Sequence, residues 1–244
     1  MALSSSSLIH LTKEKNSLIG ILTENFKIKH CVEDLLTPDD VLSYAVPMVS
    51  FCDIPMSEIK EHILKYGHYG IGLDKKWAQK NNLNPVFYID KNSSVGQAYC
   101  EAFNDLFKSS DRRITEISET ERKLLDVFRY MKNYEADLDR NGEIEHDYRY
   151  ADEKEWRYVP TIGITQMIYR KDVYLKDKDK FNGLIDELRL FFEPKDIKYV
   201  IIKYDHEITE FIRVLKETKR KYAYEDVERL QTRIITVEQI LKDF

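Results

Sequence analysis

The sequence predicts a mixed α/β (α+β) fold, a central split sheet of mixed strand direction flanked by helices, built as a single domain over residues 1–244. Three observations predict it. Short β-rich runs alternate with segments of helical period over the first ninety residues. No internal repeat, heptad seam or low-complexity tract organises the chain, which sets aside solenoids and coiled coils. Hydrophobic residues make up 43% of the 244 residues, enough for one core at a length where folding buries roughly 70–75% of the unfolded surface.

Residues 7–11 are apolar and short, and beyond Thr12-Lys13-Glu14-Lys15 the residues Leu18, Ile21, Leu22 and Phe26 recur at helical spacing. Strand, turn and amphipathic helix are expected there. Residues 46–52 form a second β-rich run that stops at Asp53-Ile54-Pro55. Ser57 is then placed to cap a helix over 58–66, with Glu58 in the first turn, where the helix dipole favours an anion. Residues 69–73 read as a strand beside Gly67 and Gly70, Asp74 caps a helix carrying Trp77, and residues 85–90 read as a further strand. A helical insertion is expected over about 94–137, with two helices and an apolar stripe of Leu124, Leu125, Val127, Phe128 and Met131. Asn141-Gly142 marks a turn. Residues 153–160 alternate as a strand, with Trp156 and Tyr158 on one side and Glu155, Arg157 and Val159 on the other. A charged connector over 171–180 precedes a helix over 181–192, a strand over 197–203 and a helix over 207–220. Residues 233–236 then lead into a short terminal helix.

The net charge of −5, with acids and bases interspersed, excludes a broad basic face for holding nucleic acid. Cys31, Cys52 and Cys100 are odd in number, widely spaced and without a Cys-x-x-Cys pair, so neither a disulfide framework nor a zinc knuckle is expected, and the setting is a reducing bacterial cytoplasm. His62 and His68, or the adjacent His30-Cys31, do not make a ligand set, and no metal is expected. There is no basic leader followed by an apolar stretch and no 18-residue apolar run, so no membrane association is expected. Glycine-rich phosphate loops, Gly-x-Ser-x-Gly elbows, His-Glu-x-x-His and EF-hand patterns are absent, which leaves any chemistry to scattered residues.

Three constellations are candidates. His10 and Thr12, two apart on the opening strand, point to one face and suit hydrogen bonds to a ribose; the alternative is a strand histidine and a helix-starting threonine. Ser50, within Pro47-Met48-Val49-Ser50-Phe51-Cys52-Asp53, and Tyr69, within His68-Tyr69-Gly70-Ile71-Gly72, interrupt two strands with polar groups and close-packing glycines, as at a cleft or at a satisfied core. Glu153, Glu155 and Arg157 are expected to share one strand face, either as a polar pocket or as a solvated edge. A carboxylate fixed by an arginine would stabilise positive charge developing on an anomeric carbon, as nicotinamide departure requires.

The same blocks carry a resemblance. His-x-Thr followed by Leu-x-x-Ile-Leu, then Val-Pro-Met-Val-Ser-Phe-Cys-Asp-Ile-Pro, His-Tyr-Gly-Ile-Gly-Leu-x-x-x-Trp-Ala, Asn-Pro-Val-Phe-Tyr and Glu-Lys-Glu-Trp-Arg resemble the AbiGi family over residues 10 to 157. The resemblance implies abortive infection, a bacterial defence in which phage entry ends in arrest or death of the host, and an antitoxin-like role beside a toxin. More distantly, the opening His10-x-Thr12 and a late-strand glutamate are similar to the ADP-ribosyltransferase fold of DarT-like toxins. That resemblance implies NAD as substrate, His10 and Thr12 on its ribose or nicotinamide, Ser50 and Tyr69 lining the pocket, Arg157 orienting the carboxylate, and Glu155 or Glu153 as the catalytic glutamate. The partner would be a macromolecular ADP-ribose acceptor on this reading, and a toxin protein or nucleic acid on the antitoxin reading.

Overall fold

A computed structural model describes residues 5–36, 40–108, 116–140 and 142–243 of the chain. The chain opens with β1 (Ser7–Thr12), α1 (Lys15–Glu24), β2 (Phe26–Lys27), β3 (Lys29–Leu36) and the long β4 (Val41–Cys52). There follow α2 (Lys60–Tyr66), β5 (Tyr69–Asp74), α3 (Lys75–Lys80), β6 (Asn84–Pro85) and β7 (Phe87–Ile89). The middle holds α4 (Ser94–Lys108), α5 (Glu119–Phe128), β8 (Met131–Asn133), a hairpin of β9 (Ala136–Arg140) and β10 (Glu143–Tyr148), and β11 (Glu155–Tyr158). Next come β12 (Tyr169–Arg170), α6 (Lys171–Lys176), α7 (Lys178–Gly183), β13 (Arg189–Leu190) and β14 (Ile197–Ile202). The last elements are α8 (Ile208–Lys219), α9 (Tyr224–Gln231), β15 (Ile234–Thr236) and α10 (Val237–Asp243).

These elements divide into two units, one of Met1–Lys27, Ser50–Leu83 and Glu187–Phe244, the other of Ile28–Val49 and Asn84–Asp186. In the first unit the strands run in the order β15-β14-β5-β1, and Cys52 at the end of β4 pairs with Ile9. β14 and β15 are parallel, joined through α8 and α9, whereas β5 is antiparallel to both β1 and β14. The sheet is therefore mixed, as the sequence predicts. Ile9 packs with Ile59, Ile63, Val237 and Ile240 in one buried cluster, while α1 packs along α8 and over β5, with Leu18, Leu22, Phe211 and Leu215 fully buried.

In the second unit β3 and β4 pair antiparallel from Lys29↔Met48 to Leu36↔Val41, and Tyr169 of β12 pairs with Ala45 of β4. β11 pairs with β6. β7 and β8 are parallel, so α4 and α5 serve as the crossover a parallel pair needs. α5 starts in a capping box, Ser118 N–H donating to Glu121 Oε2 at 2.6 Å and Glu121 N–H to Ser118 Oγ at 3.3 Å. Tyr44, Val46, Met48, Phe103, Leu125, Phe128, Met131 and Met167 form its core.

Several elements differ from expectation. Residues 94–137 do hold two helices, but Met131–Asn133 and Ala136–Arg140 are strands. Asn133 explains the first of these: its side-chain amide exchanges two 2.8 Å hydrogen bonds with the backbone of Leu36, mimicking a strand partner. The helix over 181–192 is replaced by α7, ending at Gly183, and by β13, while the expected connector contains α6 and α7. Ser57 does not cap; it lies in a 3-10 turn, Met56–Glu58, ahead of α2. β3 was not anticipated, because its inward-reaching side chains include polar ones on both faces, His30 on one and Glu33, which meets Arg157, on the other. Asn141 of the expected turn and the final Phe244 lie outside the described residues. Among the described residues no helix is long and apolar enough to cross a membrane.

Gly67 closes α2 with φ +131°, and a Cβ there would stand 2.2 Å from the carbonyl oxygen of Thr12. Both the backbone angle and the space demand glycine. Gly67→Ala should lower the free energy of unfolding by roughly 2–4 kcal/mol, combining positive-φ strain with a backbone clash, measured as a shift of the urea midpoint.

Candidate functional site

β11 carries its polar residues inward. Glu155 and Arg157 are buried and Trp156 and Tyr158 half-buried, the period-2 alternation of a strand. Glu153 does not belong to the strand; it ends the turn Tyr150–Glu153, and Lys154 between them adopts a left-handed conformation with φ 45°. The turn nevertheless brings Glu153 to the same cation as Glu155. Lys132 Nζ donates at 2.9 Å both to Glu153 Oε2 and to Glu155 Oε2, and lies 4.7 Å above the Tyr150 ring.

Arg157 has no exposed side-chain surface. Its Nε donates to Glu155 Oε1 at 2.6 Å and its Nη2 to Glu155 Oε2 at 3.1 Å, while Nη2 is also 3.0 Å from Glu33 Oε1 and Nη1 donates to the Arg129 carbonyl at 3.3 Å. Tyr148 Oη donates to Glu153 Oε1 at 3.0 Å, and the Glu155 N–H donates to Tyr88 Oη at 2.8 Å. Three carboxylates thus surround two cations in the interior of the second unit.

Burial opposes charge on Arg157 and Lys132, yet the adjoining carboxylates outweigh it, Glu155 first and Glu33 next, and hold both cations protonated well beyond their ordinary range. Burial also pushes the Tyr88 hydroxyl up, and that of Tyr150 to about 12. Both oxygens of Glu155 are engaged by neighbouring cations. The arrangement fixes a carboxylate with great precision of orientation, and directs its lone pairs at the protein rather than at a ligand.

The sequence located Glu153, Glu155 and Arg157 and missed Lys132 and Glu33. Two glutamates against one arginine in five residues is the signal that another cation was needed, because an uncompensated buried carboxylate is too costly to keep.

His10, Thr12, Ser50 and Tyr69 all lie in the first unit. His10 Nδ1–H donates to the Ser50 carbonyl at 2.8 Å, and its ring meets Phe26 edge-on at 5.2 Å and Phe51 at 5.7 Å. Thr12 is the register partner of Tyr69. Tyr69 Oη donates to the buried Glu207 Oε1 at 2.9 Å, and Lys15 Nζ approaches Glu207 at 3.7 Å and Glu210 at 2.9 Å. Burial, then the bond to Glu207, raises the Tyr69 hydroxyl far above the ordinary phenol range. The candidates therefore fall into two groups, one per unit. Among the described residues no group of three or more His, Cys, Asp or Glu side chains is arranged to hold a metal.

The sequence profile of the family described as "Putative abortive phage resistance protein AbiGi, antitoxin" matches residues 12–203. The chain belongs to the AbiGi family. A curated AbiGi relative, the abortive phage resistance protein AbiGi of Lactococcus lactis subsp. cremoris, is 26% identical over 226 residues, covering 82% of this chain and 89% of the relative. No solved structure matches the chain significantly. The AbiGi match includes every sequence-predicted site residue except His10, which lies just ahead of it.

Two outcomes follow from this geometry. Glu155→Gln, or Arg157→Met, leaves a buried partner uncompensated and should destabilise by roughly 3–5 kcal/mol, read by urea unfolding. Burial also pulls the His10 and His30 imidazoles below their ordinary 6.5, partly offset by their bonds to Ser50 and to Gln166 and Asn182. The unfolded chain then takes up these protons first, so stability is full above pH of about 6.5 and falls as pH drops below it. The pH dependence of the urea midpoint over this acid range should be shallower in His10→Gln than in the unmodified protein.

Proposed function

We propose that the chain works in abortive infection as a non-catalytic antitoxin-type regulator that binds a toxin partner. The observation that carries this reading is the saturation of Glu155, whose two carboxylate oxygens are held by Arg157 and Lys132 inside the protein. A glutamate that steadies a reacting sugar must turn a lone pair toward substrate. The family description, which names an antitoxin, supports the same reading. Cysteines at positions 31, 52 and 100 that form no disulfide suit work in a reducing cytoplasm.

A second reading keeps one favourable observation. In it the chain is an NAD-dependent ADP-ribosyltransferase with an ADP-ribosyltransferase-like sheet, Glu155 or Glu153 catalytic, and His10, Thr12, Ser50, Tyr69 and Arg157 binding NAD. The bidentate grip of Arg157 on Glu155 is the orientation such chemistry uses.

Expression in a bacterial host separates the two. A regulator leaves growth unimpaired when expressed alone and restores growth when co-expressed with the toxin encoded beside it, and the purified protein releases no nicotinamide from NAD. Growth arrest by the chain alone, with nicotinamide release that disappears in a folded Glu155→Ala or Glu153→Ala variant, would overturn the regulator reading in favour of the enzyme.

A further inference from the structure

A cleft of about 520 Å³ opens in the first unit beside β15, lined by Lys198, Tyr199, Arg233, Ile235, Gln239 and Asp243, together with Thr232 and Ile234. Its size is that of a small-molecule site. The floor is Tyr199 with Ile235, both packed on the Ile9 and Ile63 cluster. Tyr199 lies across β5 where Gly72 has no side chain; a Cβ there would stand 2.7 Å from Tyr199 Cδ2. The missing side chain lets the ring settle onto the sheet, with its half-buried side left to the cleft.

Arg233 is the second element. Its Nη1 donates to the carbonyl oxygens of Ile197 and Pro194, which anchors the guanidinium without neutralising it. Among the described residues no carboxylate pairs with it. Lys198 differs, because Asp74 compensates it at 2.9 Å. A half-buried arginine pinned by two carbonyls and lacking a counter-ion is a prepared anion site, since the cost of holding it in place is already met by the fold. Gln239 uses its Oε1 to accept from Thr236 N–H, which leaves its amide donors for a ligand, and Asp243 supplies an acceptor at the exposed end of α10.

We propose that this cleft binds a planar aromatic anion of the nucleoside monophosphate class, its base stacked on Tyr199 and its phosphate on Arg233. Stacking tolerates any base and phosphate suits the guanidinium fork; Gln239 and Asp243 meet the sugar hydroxyls. The site belongs to the first unit, whereas the Glu155 network belongs to the second, and, apart from Lys198 and Tyr199, its residues fall beyond those that the AbiGi profile matches. It is independent of the antitoxin reading, and either can fail without the other.

The test is isothermal titration calorimetry of the full chain with AMP, adenosine and inorganic phosphate in separate arms. AMP should saturate with a Kd below about 1 mM, and about tenfold or more tighter than adenosine or phosphate alone. Arg233→Gln and Tyr199→Leu should each weaken AMP by about tenfold or more in protein that still unfolds cooperatively. No saturation up to about 10 mM AMP, equal affinity for phosphate or adenosine, or undiminished AMP affinity in either folded variant overturns the proposal. Should Arg233→Gln fail to fold, Tyr199→Leu decides, since it retains the apolar floor and removes only the aromatic face.

Discussion

The second unit is organised around the demand that Arg157 be compensated. A guanidinium with no exposed side-chain surface requires carboxylates in fixed places, and it takes them from β11 itself and from β3. Glu155, shared between Arg157 and Lys132, then fixes where β8 must lie. Lys132 in turn draws in Glu153, whose other oxygen is held by Tyr148 at the end of the β9–β10 hairpin. One buried cation thus ties together three stretches of the sequence, β3, β8 and the run from Tyr148 to Arg157. Such networks contribute little net stability compared with a well-packed apolar equivalent, but they penalise every arrangement that leaves one member unpaired. The apolar core of Tyr44, Phe103, Phe128 and Met131 supplies the driving force of burial, and the charges select which packing is reached.

The first unit relies on different means. Its strands are held by register and by apolar clusters on the helices that cover them, and two of its polar side chains find single partners rather than a network. His10 is tied to the backbone of Ser50 and Tyr69 to Glu207. Glu207 also accepts from the Tyr204 N–H at the turn that starts α8, so one carboxylate both steadies a strand tyrosine and begins a helix. These contacts account for residue types that, in the sequence, read equally as site and as core.

How much was legible in the sequence follows from where apolar period survives. β1, β4, β5, β14 and α8 were visible because their inner faces are apolar. β3 was hidden because polar side chains, His30 on one face and Glu33 on the other, break its apolar alternation, and β8 because Lys132 sits within a stretch of helical composition. Partners of buried charges come from distant segments, so the sequence could name Glu155 and Arg157 but not Lys132 or Glu33. Glu153 was placed on the strand face because alternation carries no sign of the left-handed Lys154 that interrupts it. The cleft beside β15 escaped notice for a related reason, since its arginine, tyrosine and glycine come from separate segments.

The division of the chain between its units has a consequence for biosynthesis. The second unit has all of its residues once Asp186 is made, whereas the first draws on three separate segments, the last running from Glu187 to the end. As the chain emerges from the ribosome, Ile9, Ile59 and Ile63 remain uncovered until Val237 and Ile240 arrive to bury them. The nascent first unit therefore carries exposed apolar surface until its last segment is made, the interval in which chaperones and proteases choose their clients, while the later-starting second unit is the first able to close.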